Sequence, residues 1–190
     1  MRLRPTIAAT ATAAFAMLGA LTAVPTAADS AETDGAGERR AAHPKRTVMV
    51  VGNNWDGTAT VVDAATRKKL ATIDIVPDLD EELQAIATTP DRLAFYLAVQ
   101  QGVGEGHDQY VDDMFTTRNG RFLAVSRPSL SDVVWIDLAK AAAGAPDSVV
   151  REQQMDGYRT DHMGLSPDGR RLLVSDSTER QVLELSLIHI

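Results

Sequence analysis

The chain has no cysteine. That absence removes disulfides, thiol nucleophiles, cysteine-ligated metals, a lipid-modified N-terminal cysteine and c-type haem attachment, and leaves stability to packing. Basic residues are also scarce: 19 Lys and Arg stand against 26 Asp and Glu, a formal charge of −7. A chain of that sign is a poor candidate for binding nucleic acid through a basic face, so no nucleic-acid partner is expected. Clean polar and apolar alternation is missing as well. Runs such as VMVV at 48–51, FLAV at 122–125, VVWI at 133–136 and LLV at 172–174 are continuously apolar, which describes sheets covered on both faces. The glycine-rich stretch GVGEGHD at 102–108 follows a helix pattern, lacks Lys-Ser/Thr and carries acids where phosphate needs donors, so it is read as a loop near the ring axis and not as a phosphate loop. No nucleophile, metal triad or cofactor motif is present, and the cofactor stays unassigned.

What the sequence does have is a repeat. DHMGLSPDGRRLLVS at 161–175 has a counterpart beginning at Asp112, and over residues 112–127 and 161–176 seven of the sixteen positions are identical without a gap, at an offset of 49. The match continues beyond the window, with Val133, Val134 and Ile136 falling on Val182, Leu183 and Leu185. Each copy reads strand, tight turn, strand, turn, strand. The turns are Ser166-Pro167-Asp168-Gly169 and Thr117-Arg118-Asn119-Gly120, in which proline presets φ and Pro-Asp-Gly or Asn-Gly closes a hairpin. A period near 50 is about propeller-blade length, and stacked blades cover both faces of each sheet.

VVGNNWDGTATVVDAATRKKLATIDI at 50–75, together with HMGLSPDGRRLLVSDS at 162–177, resembles the YVTN-type repeat of YncE-like bacterial β-propellers. The resemblance covers about residues 47–185. It implies an all-β fold, a partial β-propeller of four-stranded antiparallel blades. The expected blades are about 47–76, 109–155 and 158–184, with a helical insertion at about 78–106 between the first and second. Asp63 matches Asp137 at an offset of 74, so the first strand corresponds to the second strand of later blades and its blade lacks an inner strand. Propellers close with about four to eight blades, so the chain is expected to be an N-terminal fragment.

Both ends depart from the repeat. Residues 1–28 carry Arg2 and Arg4, an apolar stretch and the small-residue exit Thr26-Ala27-Ala28, the pattern of a secretory signal peptide. The expected location is therefore secreted or periplasmic, with no stable membrane anchor after cleavage and a mature charge of −9. Residues 29–46 have the composition of a flexible linker, and His43 within it has no neighbouring ligand type. Residues 185–190, LSLIHI, equal the translation of a transposase adapter and are expected to be read-through, which would leave His189 without a role.

In the first blade Asn53 to Gly57 is the hairpin turn, and Trp55 is expected exposed there, packing on its own blade; a contact surface is the alternative. In the insertion Thr89 suits an N-cap, Pro90 the first helical position, Asp91 the helix dipole and Gly102 the stop. Leu93, Tyr96 and Leu97 share one face. This helix is expected to be clamped between surfaces, preceded by a shorter one at 81–87.

The repeat also places chemistry. Asp112-Asp113 and Asp161-His162 precede the inner strands of successive blades and would ring one mouth of the channel. His107 and Asp108 lie on the loop feeding the first of those strands and can reach the same rim; they resemble a metal-phosphohydrolase dipeptide, but the other histidines of such a site are missing. Carboxylates beside imidazole bind a divalent cation, orient a histidine for proton transfer or hold a polar ligand, with Asp113 and His162 the metal candidates. In the architectural alternative Asp112 and Asp161, identical in the two copies, bond backbone amides at the strand entrance. Arg127 and Asp176, ending the second strands, are read as surface charges. The expected function is a ligand-binding or scaffolding module for a small-molecule or protein ligand. The alternative is a propeller enzyme, hydrolase or lactonase-like, completed by C-terminal blades.

Overall fold

The computed structural model of the protein describes residues 46–190. The expected signal peptide and nearly all of the expected linker, with His43, lie outside the described residues. Three antiparallel sheets follow one another along the chain. The first contains β1 (Val48–Asn53), β2 (Thr58–Asp63) and β3 (Lys69–Asp74) in sequence order. The second contains β4 (Met114–Thr116), β5 (Phe122–Arg127), β6 (Asp132–Asp137) and β7 (Val149–Gln154). The third contains β8 (Thr160–Leu165), β9 (Arg171–Asp176) and β10 (Gln181–Ser186). Only the second sheet has four strands among the described residues. The repeat offset is also the pairing register: Leu123 faces Ile136, and the matched Leu172 faces Leu185.

The apolar runs explain how the sheets stack. Alternate residues of β5 and β6 go to opposite faces, so Leu123, Val125, Val134 and Ile136 enter a core with Ala59 and Ile73 of the first sheet. Ala124, Val133 and Trp135 enter a second core with Met163, Leu172, Val174 and Leu185 of the third. The middle sheet is thus covered on both faces, and every residue of β6 is buried. Three up-and-down sheets stacked face to face in chain order form a partial β-propeller.

The insertion folds as α1 (Leu79–Ala87) and α2 (Pro90–Gln101). Thr89 occupies the N-cap position and Pro90 the first turn, but the Thr89 hydroxyl donates to the Ala85 carbonyl and does not cap the helix. Gly102 stops the helix without adopting a left-handed conformation. Contrary to the expected clamp, no residue of α2 is buried. Leu93 and Tyr96 lean on the first core while Leu97 is exposed, and Asp91 and Phe95 meet Tyr158 of the loop before β8.

A strand-ending side chain anchors the next turn in all three sheets. Asp63 accepts from the amides of Ala65 and Thr66, and Asp137 from those of Ala139 and Lys140. At the matched position Ser186 does the same with Ile188 and His189, each at 3.3 Å. β10 runs on through Leu185 and Ser186, and Leu187 is buried in the second core.

The reading of Arg127 and Asp176 as surface charges is overturned: both are 0% exposed. Arg127 donates to both carboxylate oxygens of Asp132, at 2.8 and 2.6 Å, and to both of Asp78, at 2.6 and 3.1 Å. Asp78 arrives from the insertion, 49 residues away in sequence, so the pair ties the helices to the second sheet. Asp176 accepts from the amides of Gly157 and Glu179 and from the Thr178 hydroxyl. Burial raises its pKa, but those bonds outweigh it and hold the carboxyl below its ordinary range.

Around Arg127 the balance goes the other way. Burial, with Glu152 and Asp132 nearby, pushes Glu82 up to about 7 from an ordinary 4.5. Burial also pushes Asp132 up to about 6 from 3.8 against the pull of Arg127. Both groups hold a proton more tightly when folded. Their stabilisation is complete below the ordinary values and is lost as pH rises through the folded ones. Asp63, Asp137 and Asp176 are lowered below 3.8, so their contribution is present above that value and is lost as pH falls. Stability is therefore expected to peak at about pH 4–5 and to decline toward neutrality. Urea midpoints between pH 3 and 8 test this, and Glu82→Gln should flatten the neutral limb. An unchanged limb in that variant would refute the assignment.

Candidate functional site

The Asp112-Asp113 and Asp161-His162 dipeptides are held by equivalent serines of the neighbouring strands. Ser126 of β5 accepts the Asp112 amide at its carbonyl, at 3.1 Å, and the Asp113 amide at its hydroxyl, at 3.0 Å. The matched Ser175 of β9 donates its hydroxyl to the His162 carbonyl at 3.2 Å. Asp161 and His162 lie within β8, where the ladder to β9 is interrupted between Thr160 and Met163. The interruption leaves the Met163 amide to donate across to Asp113 Oδ2, at 2.7 Å. The backbone-bonding carboxylate is therefore Asp113, and not Asp112 or Asp161 as the architectural reading had it. It bonds the next sheet and not its own strand entrance.

This cross-sheet bond brings the two dipeptides together. His162 Nδ1 lies 3.5 Å from Asp113 Oδ2 and 3.6 Å from Asp112 Oδ2. The carboxylates are half-buried, and the His162 side chain is 80% exposed. Burial raises the Asp112 pKa, Asp113 and Asp161 add to that rise, and His162 and Arg159 oppose it. Asp161 thus belongs to the same electrostatic cluster. Arg159, which sequence reasoning missed, donates to the Gln109 side chain at 2.7 Å. No signal in the repeat marks it, since Tyr110 stands at the matched position.

His107 and Asp108 take other partners. His107 stacks on Trp55, with ring centroids 3.9 Å apart and planes 7° from parallel. Trp55 is 59% exposed and packs on this loop instead of on its own sheet. Asp108 accepts from Gln100 and from the Tyr110 hydroxyl, both at 2.9 Å, which ties α2 to the segment entering β4. Desolvation, together with the nearby Asp108 carboxylate, pushes the Tyr110 phenol up to about 12, so it stays a neutral donor. Asp108 is a tether and His107 a stacking partner.

No protein-family model matches the chain, and no curated protein sequence matches it. Among solved structures, the hydrazine synthase of Kuenenia stuttgartiensis is similar over 74% of this chain and 33% of its own, at 15% identity and a TM-score of 0.41. The WD40 β-propeller domain of Doa1 is similar over 78% of this chain and 39% of its own, at 15% identity and a TM-score of 0.42. The chain therefore spans well under half the length of either. The propeller arc itself is read from the stacked sheets.

A groove of about 370 Å³ lined by Thr117, Arg118, Gly169 and Ile188 lies at the opposite ends of β4 and β8 from the cluster. Asp78, Glu82 and Glu152 also come within 4.8 Å of one another, but Arg127 already pairs with Asp78 and Glu152. Chemically, the Asp112, Asp113 and His162 group presents acceptors converging from two sheets. It fits a donor-rich or positively charged group better than an anion.

Proposed function

We propose that the protein is an exported ligand-binding module, a YVTN-type, YncE-like β-propeller that takes the positively charged or donor-rich end of its ligand at the mouth of the central channel. The convergence of Asp112, Asp113 and His162 from two successive sheets carries this reading. Residues repeated for architecture alone would keep the same pair in both sheets, whereas Asp113 and His162 occupy the same repeat position with different chemistry. The leader-like residues 1–28 support export, and among the described residues no helix is long and apolar enough to cross a membrane. The acidic charge, −7 for the full chain and −9 without residues 1–28, favours a cationic ligand.

A thermal-shift screen with primary and quaternary amines, cationic amino acids and divalent metal salts tests the reading. At least one should raise the wild-type Tm and fail to raise that of Asp112→Ala or His162→Ala. If every probe shifts wild type and both variants equally, or shifts none, this cluster is not the binding site.

A further inference from the structure

The geometry points to a divalent metal site of the zinc class formed by Asp112, Asp113 and His162, with one coordination position left open toward solvent. This rests on the binding reading above and names the cation. The His162 Nδ1 distances of 3.5 and 3.6 Å to the two Oδ2 atoms are too long for hydrogen bonds. They match the edge of a tetrahedron around a metal: with zinc bonds of about 2.1 Å, ligand atoms stand about 3.4 Å apart. The two carboxylates offer oxygens within 4.8 Å of each other, which one ion would draw closer to reach the same edge. Carboxylate and imidazole are both zinc ligand types, three protein ligands leave a fourth position free as at catalytic zinc sites, and the imidazole favours zinc over magnesium.

One of the three ligands is oriented from outside the group. Asp113 Oδ2, the atom facing the imidazole, is held at 2.7 Å by the Met163 amide of the adjacent sheet. An outer hydrogen bond of that kind fixes a ligating carboxylate and leaves a lone pair for the metal. His162 contributes from an exposed position, so the fourth position opens to water and to the donor atoms of a second molecule. Metal binding would link the second and third sheets through side chains as well as through packing.

Calorimetric titration of zinc chloride into chelator-treated full-length protein tests the inference, with magnesium chloride as comparison. One zinc per chain is expected, with little heat from magnesium, and zinc should raise the wild-type Tm. His162→Ala and Asp112→Asn should each weaken binding about 10-fold or more. Because His162 is exposed, its variant should melt like wild type without metal, which separates lost ligation from lost folding. No zinc binding, or equal zinc affinity in wild type and both variants, overturns the metal site. If an amine binds in a His162-dependent way while zinc does not, the binding reading survives and the metal inference fails. If neither binds, both fail.

Discussion

Replacing Arg127 with methionine is expected to lower folding stability by about 3–5 kcal/mol, the range for removing one partner of a buried ion pair. Arg127 and Asp132 are each 0% exposed, so the variant leaves a buried carboxylate with no cation and releases Asp78, which positions the insertion. For a chain of this size the loss corresponds to a Tm lower by roughly 6–20 °C. Arg127→Met combined with Asp132→Leu should recover much of that loss, because the uncompensated charge goes with its partner. A single variant melting within about 2 °C of wild type would mean that the guanidinium is not buried as described.

Trp135→Ala is expected to cost about 3–5 kcal/mol as well, by opening a cavity between the second and third sheets. Trp135 is 0% exposed in the core shared with Met163, Leu172 and Val174, and the Arg151 guanidinium lies 4.5 Å above its ring. Trp135→Phe should cost far less than alanine. The indole Nε1 is buried without a partner, so losing it removes a desolvated donor while most of the ring remains. Urea unfolding of both variants checks the order. Equal losses for phenylalanine and alanine would contradict a void-dominated effect.

Much of the fold was legible because it rests on local rules repeated at a fixed offset. The identities around Asp112 and Asp161 marked β5 with β6 and β9 with β10 as repeats of one strand pair, and the two pairs share one register. Thr89, Pro90 and Gly102 gave the bounds of α2. The meeting of Asp113 with His162 was legible because matched residues of adjacent blades approach one another. Arg127 was misread because a charge ending a strand looks the same on a surface as in a core. Only its partner decides, and Asp78 lies in an insertion that the repeat does not describe. The shallow burial of α2 was hidden for the same reason, since periodicity gives a face but not how deeply it is covered. His107 left the cluster through a stacking contact with Trp55, for which spacing carries no signal.

The residue ending the strand before each blade's central hairpin differs from sheet to sheet: Asn53, Arg127 and Asp176 occupy one repeat position. Asn53 bonds Thr58 and Thr60 across its own turn, Arg127 holds two aspartates, and Asp176 gathers backbone amides. Averaging the blades into a consensus would therefore fail at this position even where every other residue agreed. Aspartate copied from the third sheet into the second would face Asp78, Asp132 and Glu152 with no counterion. The three units share a backbone plan but not interchangeable chemistry, and each is fitted to its place in the order.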